Sequence, residues 1–351
     1  MEESNSNNKK KELLDRLRKS APAAVAGAFT SFAGAAVGDW ERRRPGGIEL
    51  GIPILPESPV AVGTPALTVA LPWEYARSLT LDASKFGRSL SGVSAGPGDR
   101  IFVLSDGAVK IFSPEGSPVR SWKAPEKALC IAVSRDERVY LGFAGRVEAF
   151  DPEGRRAGGF QVGDAGKQAS VTAIKFLGKE ILVGDASAKC IRRCDENGKQ
   201  LGQIGFSNKV RGFMLPNGFL DLDVAPNGMV VTADPGRHRV SLWKADGTPA
   251  GQFGKFGLAN PGDFVGCCNP VNLAVAPDGK IVVAEKVAAR VKVFDAAGKL
   301  LAVIGPENFD PKFTHLHLAV DSRGRILAAD PVRLELKGFE PSRKPGGRED
   351  L

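Results

Sequence analysis

Tyrosine, methionine and histidine are scarce in this 351-residue chain, at two, three and three residues. Few aromatic side chains are placed for base stacking, which weighs against single-stranded RNA binding. The three histidines follow no dedicated zinc pattern such as His-Glu-x-x-His. The five cysteines make no disulfide framework. Cys190 and Cys194 lie four apart on one expected strand, about 13 Å along it and too far to bridge. Cys267 and Cys268 are adjacent, so only a strained vicinal bond is open to them. Cysteine usage therefore leaves the redox compartment open.

Long apolar runs are also missing. The one candidate for a membrane or targeting segment is the charge-free stretch Ala21–Gly38, about 18 residues and near the lower limit for a membrane span. It is mostly Ala and Gly, with Val25, Phe29, Phe32 and Val37 as its large side chains. It follows a basic run, Lys9 to Lys11, as an export signal does. Arg42, Arg43 and Arg44 come directly after and oppose simple translocation. No twin-arginine or lipoprotein motif accompanies it. Two readings stay open, an anchor or export segment at the cell envelope and a cytoplasmic linker or interaction helix. Residues 1–44 thus form a charged, partly helical or disordered extension with membrane contact through Ala21–Gly38 as one option. Residues 45–72 read as a Pro-rich connector and residues 341–351 as a polar tail.

Glycine is abundant, at 42 residues, as are proline at 24 and phenylalanine at 19. Many turns between short apolar runs point to an all-β protein. The net charge of +8 fits an anionic partner such as RNA or a lipid headgroup. The basic residues are spread among acids, however, which is how ordinary surface charge looks.

The strongest signal is internal repetition. Leu273 to Gly305 reads LAVAPDGKIVVAEKVAARVKVFDAAGKLLAVIG, and Leu222 to Gly254 reads LDVAPNGMVVTADPGRHRVSLWKADGTPAGQFG. Three earlier copies and a shortened last one, from Leu318, share the pattern. A bulky residue closes the third strand at Phe112, Phe150, Cys194, Trp243 and Phe294. A turn glycine follows at Gly116, Gly154, Gly198, Gly247 and Gly298. Each unit is read as four antiparallel strands, and radial repetition of such units makes a propeller with only short protected edges. The phrase VAPDGxIVVAE-xxxx-RVKVFDxxGKLL resembles the NHL-repeat family over residues 85–340. The resemblance implies a six-bladed β-propeller across residues 73–340. In that family a worn last blade is completed from the other end of the chain, and Arg77 to Ser84 is the expected donor strand.

Propeller topology sorts the unusual residues. The loop into each first strand and the hairpin between second and third strands share one rim, called the upper rim below. That rim receives Arg237, His238 and Arg239 in blade four. Blade five adds Cys267, Cys268 and Asn269 at the start of its first strand, with Glu285 and Lys286 at its turn. His315 and His317 precede and open the first strand of blade six. Asp106, Asp185, Asp234, Glu285 and Asp330 recur at the second-to-third turn, with Ala144 in blade two. Their expected role is to accept backbone N–H groups. Aligned inner strands put Gly92, Cys130, Asp221, Asn272 and His317 in one register near the axis, if blade three is shifted. That polar set suits a small ligand or cation.

The chain is also similar to bacterial NHL propellers carrying a Cys-Cys-Asn-Pro loop, a PGRHRV turn and a Glu-Lys turn. Cys267, Cys268, His238, His315 and His317 are candidate ligands for zinc or another divalent metal. The competing reading has the thiols packed under a loop and the histidines as structural residues. Cys194 is expected in the core. Function is expected to be non-enzymatic binding of a protein or small molecule on the upper rim. The alternatives are a metal-dependent lyase or lactonase, and an RNA-binding propeller.

Overall fold

The computed structural model describes residues 71–164, 167–207 and 210–343. The charged extension, Ala21–Gly38, all but the last two residues of the connector, and the tail from residue 344 lie outside them. Six four-stranded antiparallel sheets organise the described chain. Blade one contains Gly92–Ala95, Ile101–Ser105, Ala108–Phe112 and Pro118–Lys123. Blade two follows with Cys130–Val133, Val139–Phe143, Arg146–Phe150 and Arg156–Gln161. Blade three has Val171–Leu177, Glu180–Asp185, Cys190–Cys194 and Gln200–Ile204. Blade four has Leu222–Val224, Val230–Asp234, Arg239–Trp243 and Pro249–Phe253. Blade five has Asn272–Val275, Ile281–Glu285, Arg290–Phe294 and Leu300–Ile304.

Blade six closes the ring. His317–Val320, Ile326–Asp330 and Glu335–Arg343 take their fourth strand from Trp73–Leu81. The donor strand therefore begins four residues before the expected Arg77 and ends at Leu81. Asp82 terminates it by accepting the Ser84 amide at 2.9 Å. The third strand also runs to Arg343, into the segment read as a tail. The long pairing of these two nine-residue strands joins the ends of the array.

Burial explains the strand composition. Second and third strands are enclosed by neighbouring blades, so Ile281–Glu285 and Arg290–Phe294 are buried throughout. Outer strands face water, and Pro118–Lys123 is almost wholly exposed. Six apolar clusters each lie between adjacent blades. Cys194 belongs to the cluster between blades two and three. The turn glycines sit at φ +83 to +89°, where a side chain is strained. At Gly198 the Phe160 side chain would also lie 2.3 Å from an added Cβ.

Two ribbons interrupt the repeat on the upper rim. Gly163–Asp164 pairs with Lys167–Gln168 before blade three, and Phe206–Ser207 pairs with Val210–Arg211 after it. A bulge between Val171 and Ala173 supplies the shift that the inner-strand register needed in blade three. No helix among the described residues is long and apolar enough to cross a membrane.

Candidate functional site

Four of the recurrent turn carboxylates fasten loops to the upper rim. Asp185 Oδ1 accepts the amides of Ser170, Ser187 and Ala188, each at 3.1 Å. Asp234 accepts the Met214 amide at 2.9 Å, and Asp330 accepts those of Asp310, Val332 and Arg333. Glu285 accepts the Val265 amide at 2.5 Å. Each ties the hairpin of one blade to the loop that leads into it. Asp106 differs, with its carboxylate 3.7 Å from the exposed Arg88.

This fastening engages the cations expected to face a ligand. Arg237 Nη1 donates to Asp234 at 2.8 Å and to the Gly212 carbonyl at 3.1 Å. Arg239 Nε donates to the same carboxylate at 3.1 Å, and its Nη1 to Gln252. Glu285 is fully buried between Arg290 Nε at 2.5 Å and Lys292 Nζ at 3.0 Å. Burial pulls the Lys292 ammonium down to about 8, against the attraction of Glu285. Its Nζ also donates to the Asp263 carbonyl and lies 4.6 Å from the centre of the Phe264 ring. The register of Lys292 carries Lys110 and Lys337 in blades one and six. Those ammoniums donate to the carbonyls of Lys85 and Asn308, again in the loop leading into the blade. This repeated lysine clamp was not anticipated. Its sequence signal is a lysine at the middle of an otherwise apolar strand.

The Cys-Cys-Asn-Pro loop is fixed through its asparagine. Asn269 is fully buried. Its Nδ2 donates to the carbonyls of Val265 at 2.6 Å and Lys286 at 3.0 Å, while Oδ1 accepts the Lys286 amide at 2.9 Å. Asn269 therefore imitates a paired strand and locks the loop onto the Glu285–Lys286 turn. Cys267 is exposed and Cys268 buried, the latter in the left-handed region at φ 64°. His238 Nε2 lies 3.0 Å from the Gly266 carbonyl, and its ring meets Phe256 edge-on at 5.4 Å.

The other two histidines gather elsewhere. Phe219 lies 4.5 Å from the His315 ring and 6.3 Å from that of His317. Burial, with Lys286 adding to it, lowers the His315 imidazole to about 4. Burial and His315 do the same to His317. Both rings are thus neutral at pH 7, and His315 Nδ1 is buried without a hydrogen-bond partner. The expected metal set is accordingly divided between two places on the rim. Among the described residues no three His, Cys, Asp or Glu side chains are grouped to hold a metal ion.

The axial register does converge. Gly92, Cys130, Thr172, Asp221, Asn272 and His317, one from each blade, line a cavity of about 40 Å³. That is room for a water molecule or so, at ~30 Å³ each. Much of the polarity joins blades to one another. Ser94 Oγ accepts the Val133 amide, Cys130 Sγ faces the Val171 carbonyl, and Thr172 Oγ1 donates to the Leu220 carbonyl. Asp221 accepts Asn272 Nδ2 at 2.9 Å and the Leu273 amide at 3.1 Å. Asn272 in turn accepts the Leu316 amide at 3.0 Å. Inner strands of neighbouring blades share no backbone ladder, so these side chains supply the cross-blade bonds. Burial raises the Asp221 carboxyl to about 6, against the pull of Lys175. Burial opposes the Lys175 ammonium as well, yet Asp223 and Asp221 together hold it above its ordinary value.

No family model and no curated protein matches the chain. Solved structures do. A streptogramin B lyase shares 9% identity and a TM-score of 0.55, over 77% of this chain and 98% of its own. A protein of unknown function from Bacteroides thetaiotaomicron shares 16% identity and a TM-score of 0.56, over 77% of each chain. The WD40 β-propeller domain of Doa1 shares 14% identity and a TM-score of 0.51, over 78% of this chain and 98% of its own. At these identities the likeness is one of fold. The fold is a β-propeller, found alike in a lyase and in a WD40 domain, so it leaves the function open.

Proposed function

We propose that the chain is an NHL-type propeller that works as a protein-binding module through its upper rim at blades four and five. One observation carries this reading. Eight large apolar side chains are exposed among the described residues, and six of them belong to upper-rim loops: Phe206, Met214, Phe256, Leu258, Val287 and Val332. Contiguous exposed apolar surface rimmed by polar groups marks interaction sites. Three of them pack on neighbouring upper-rim loops that the His238–Gly266 contact ties together. Met214 lies over Gly236, Phe256 against His238, and Val287 over Gly266 beside Cys267. The fastened arginines and Asn269 hold this surface rigid, which lowers the ordering cost of binding.

Photo-cross-linking in cells tests the proposal. A photoreactive residue at Phe256 is expected to give discrete protein adducts, identifiable by mass spectrometry and lost on Val287→Asp. Leu201, an exposed apolar residue on an outer strand, serves as control. Equal labelling from both positions would defeat the reading.

A metal-dependent lyase or lactonase is the second reading. It draws on His315, whose buried Nδ1 lacks a partner beside His317. Stoichiometric metal in the purified protein, lost on His317→Ala, would put it ahead. Nucleic acid is the weakest option. It requires salt-dependent retention on single-stranded oligonucleotides.

A further inference from the structure

Blade three carries a cleft that meets the upper-rim apolar surface at Phe206. Its volume is about 690 Å³, and it lies between the two ribbons that interrupt the repeat. Asp164, Lys167, Ser187, Arg192 and Phe206 line it. The size falls within the ~300–1,000 Å³ usual for small-ligand sites.

Arg192 sits at its base with only 4% of its side chain exposed. Its Nε donates to Asp185 Oδ2 at 2.9 Å. Nη1 and Nη2 reach the two oxygens of Asp164 at 3.0 and 3.1 Å, and Nη1 also donates to Gln200 at 2.9 Å. The two carboxylates differ in character. Asp185 is 1% exposed and held by three backbone amides. Asp164 is 65% exposed and stands on a two-residue strand. Arg192 occupies the register of Lys110, Lys292 and Lys337. Those lysines donate to backbone carbonyls of their own chain. In blade three alone is that register occupied by a planar fork paired end-on with an exposed side chain.

We infer that this cleft binds a small molecule bearing a carboxylate, which takes the place of Asp164 on the Nη edge of Arg192. A buried guanidinium needs a partner at all times, whereas an exposed carboxylate gives up an ion pair at little cost. The fork geometry selects a planar two-oxygen group. Lys167 adds a second cation at the cleft, and the half-exposed Phe206 an apolar wall. Asp164 is then a built-in competitor.

Titration of the full chain with glutarate tests the assignment, followed through the amide resonances of Ser187 and Ala188. Asp164→Ala, which removes the competitor from an exposed position, is expected to bind glutarate at least tenfold more tightly than the native chain. Asp164→Asn is expected to do the same should the alanine variant fold poorly. Arg192→Lys keeps the charge, loses the fork and is expected to lose the gain. Equal glutarate affinity with and without Asp164, or equal binding of the uncharged glutaramide, overturns the inference. Tighter binding of inorganic phosphate than of glutarate overturns the carboxylate class.

Discussion

The two rims of this propeller are held in largely different ways. On the lower rim the turns of blades three and five are closed from within, although Asp99 of blade one also accepts from Ser322 of blade six. Asp195 caps Asn197 and Lys199, and Asp295 caps Ala297 and Lys299, all within four residues. On the upper rim the fastening groups reach across the chain. Glu285 holds Val265, Asn269 holds Lys286, and Asp234 holds Met214. Local bonds make a turn that is complete in itself. Long-range bonds make a surface whose loops must be positioned before they can present anything, and most of the exposed apolar side chains lie there.

The largest expected effect breaks this contrast at Glu285. Glu285→Ala leaves Arg290 and Lys292 buried without their carboxylate and strands the Val265 amide. A loss of about 4 kcal/mol is expected, the scale of a broken buried ion pair. Denaturant unfolding of purified protein measures it, and a loss below that of a lower-rim variant would erase the distinction.

The axis supplies the next effect, through pH. His315 and His317 are lowered to about 4 in the fold from about 6.5 in the unfolded chain. Between those values the unfolded state binds the extra protons, so stability falls as pH drops from 6.5 to 4. Asp221, raised to about 6, acts in the other direction, because the folded state takes up its proton first. Two imidazoles outweigh one carboxyl, and a net acid loss is expected. In unfolding curves across that range His317→Gln flattens the loss and Asp221→Asn steepens it. A native profile that rises towards pH 4 would contradict these assignments.

What the chain discloses about itself follows the same division. Turn glycines and the six-unit array depend on neighbours in sequence, so Gly298 was readable and the blade count came with it. The axial register was readable because one position recurs in every blade, with the bulge at Thr172 accounting for its only slip. The carboxylate fastenings could be foreseen in kind, but their partners Val265, Met214 and Asp310 could not, since spacing carries no trace of a loop folding back. Burying the Lys292 ammonium makes sense only once Glu285 and Phe264 surround it. The division of the thiols and imidazoles between two sites likewise depends on which blade each loop leans towards.

A smaller effect sharpens the comparison at the Cys-Cys-Asn-Pro loop. Asn269→Ala removes three hydrogen bonds at a fully buried position. An expected loss of about 2 kcal/mol reflects the backbone groups left unpaired. Its second readout is chemical. In the native chain a thiol reagent should modify the exposed Cys267 quickly and the buried Cys268 slowly. Freed of Asn269, the loop is expected to open and label Cys268 at least tenfold faster, with Cys267 little changed. Unaltered Cys268 labelling in a destabilised variant would mean that the loop is held by its packing and not by the asparagine.

The smallest effect belongs to the lower rim. Asp295→Ala removes a carboxylate that accepts two exposed backbone amides, Ala297 at 2.9 Å and Lys299 at 2.8 Å. Water replaces both bonds at no desolvation penalty, so about 1 kcal/mol is expected from denaturant unfolding. The backbone still closes the turn, because the Asp295 amide donates to the Lys299 carbonyl and the Gly298 amide to that of Asp295, at 3.0 and 3.1 Å. Cysteine labelling at the opposite rim should not change at all. A change there would mean that the two rims are mechanically coupled through the body of blade five, and that the lower turns do more than close their own hairpins.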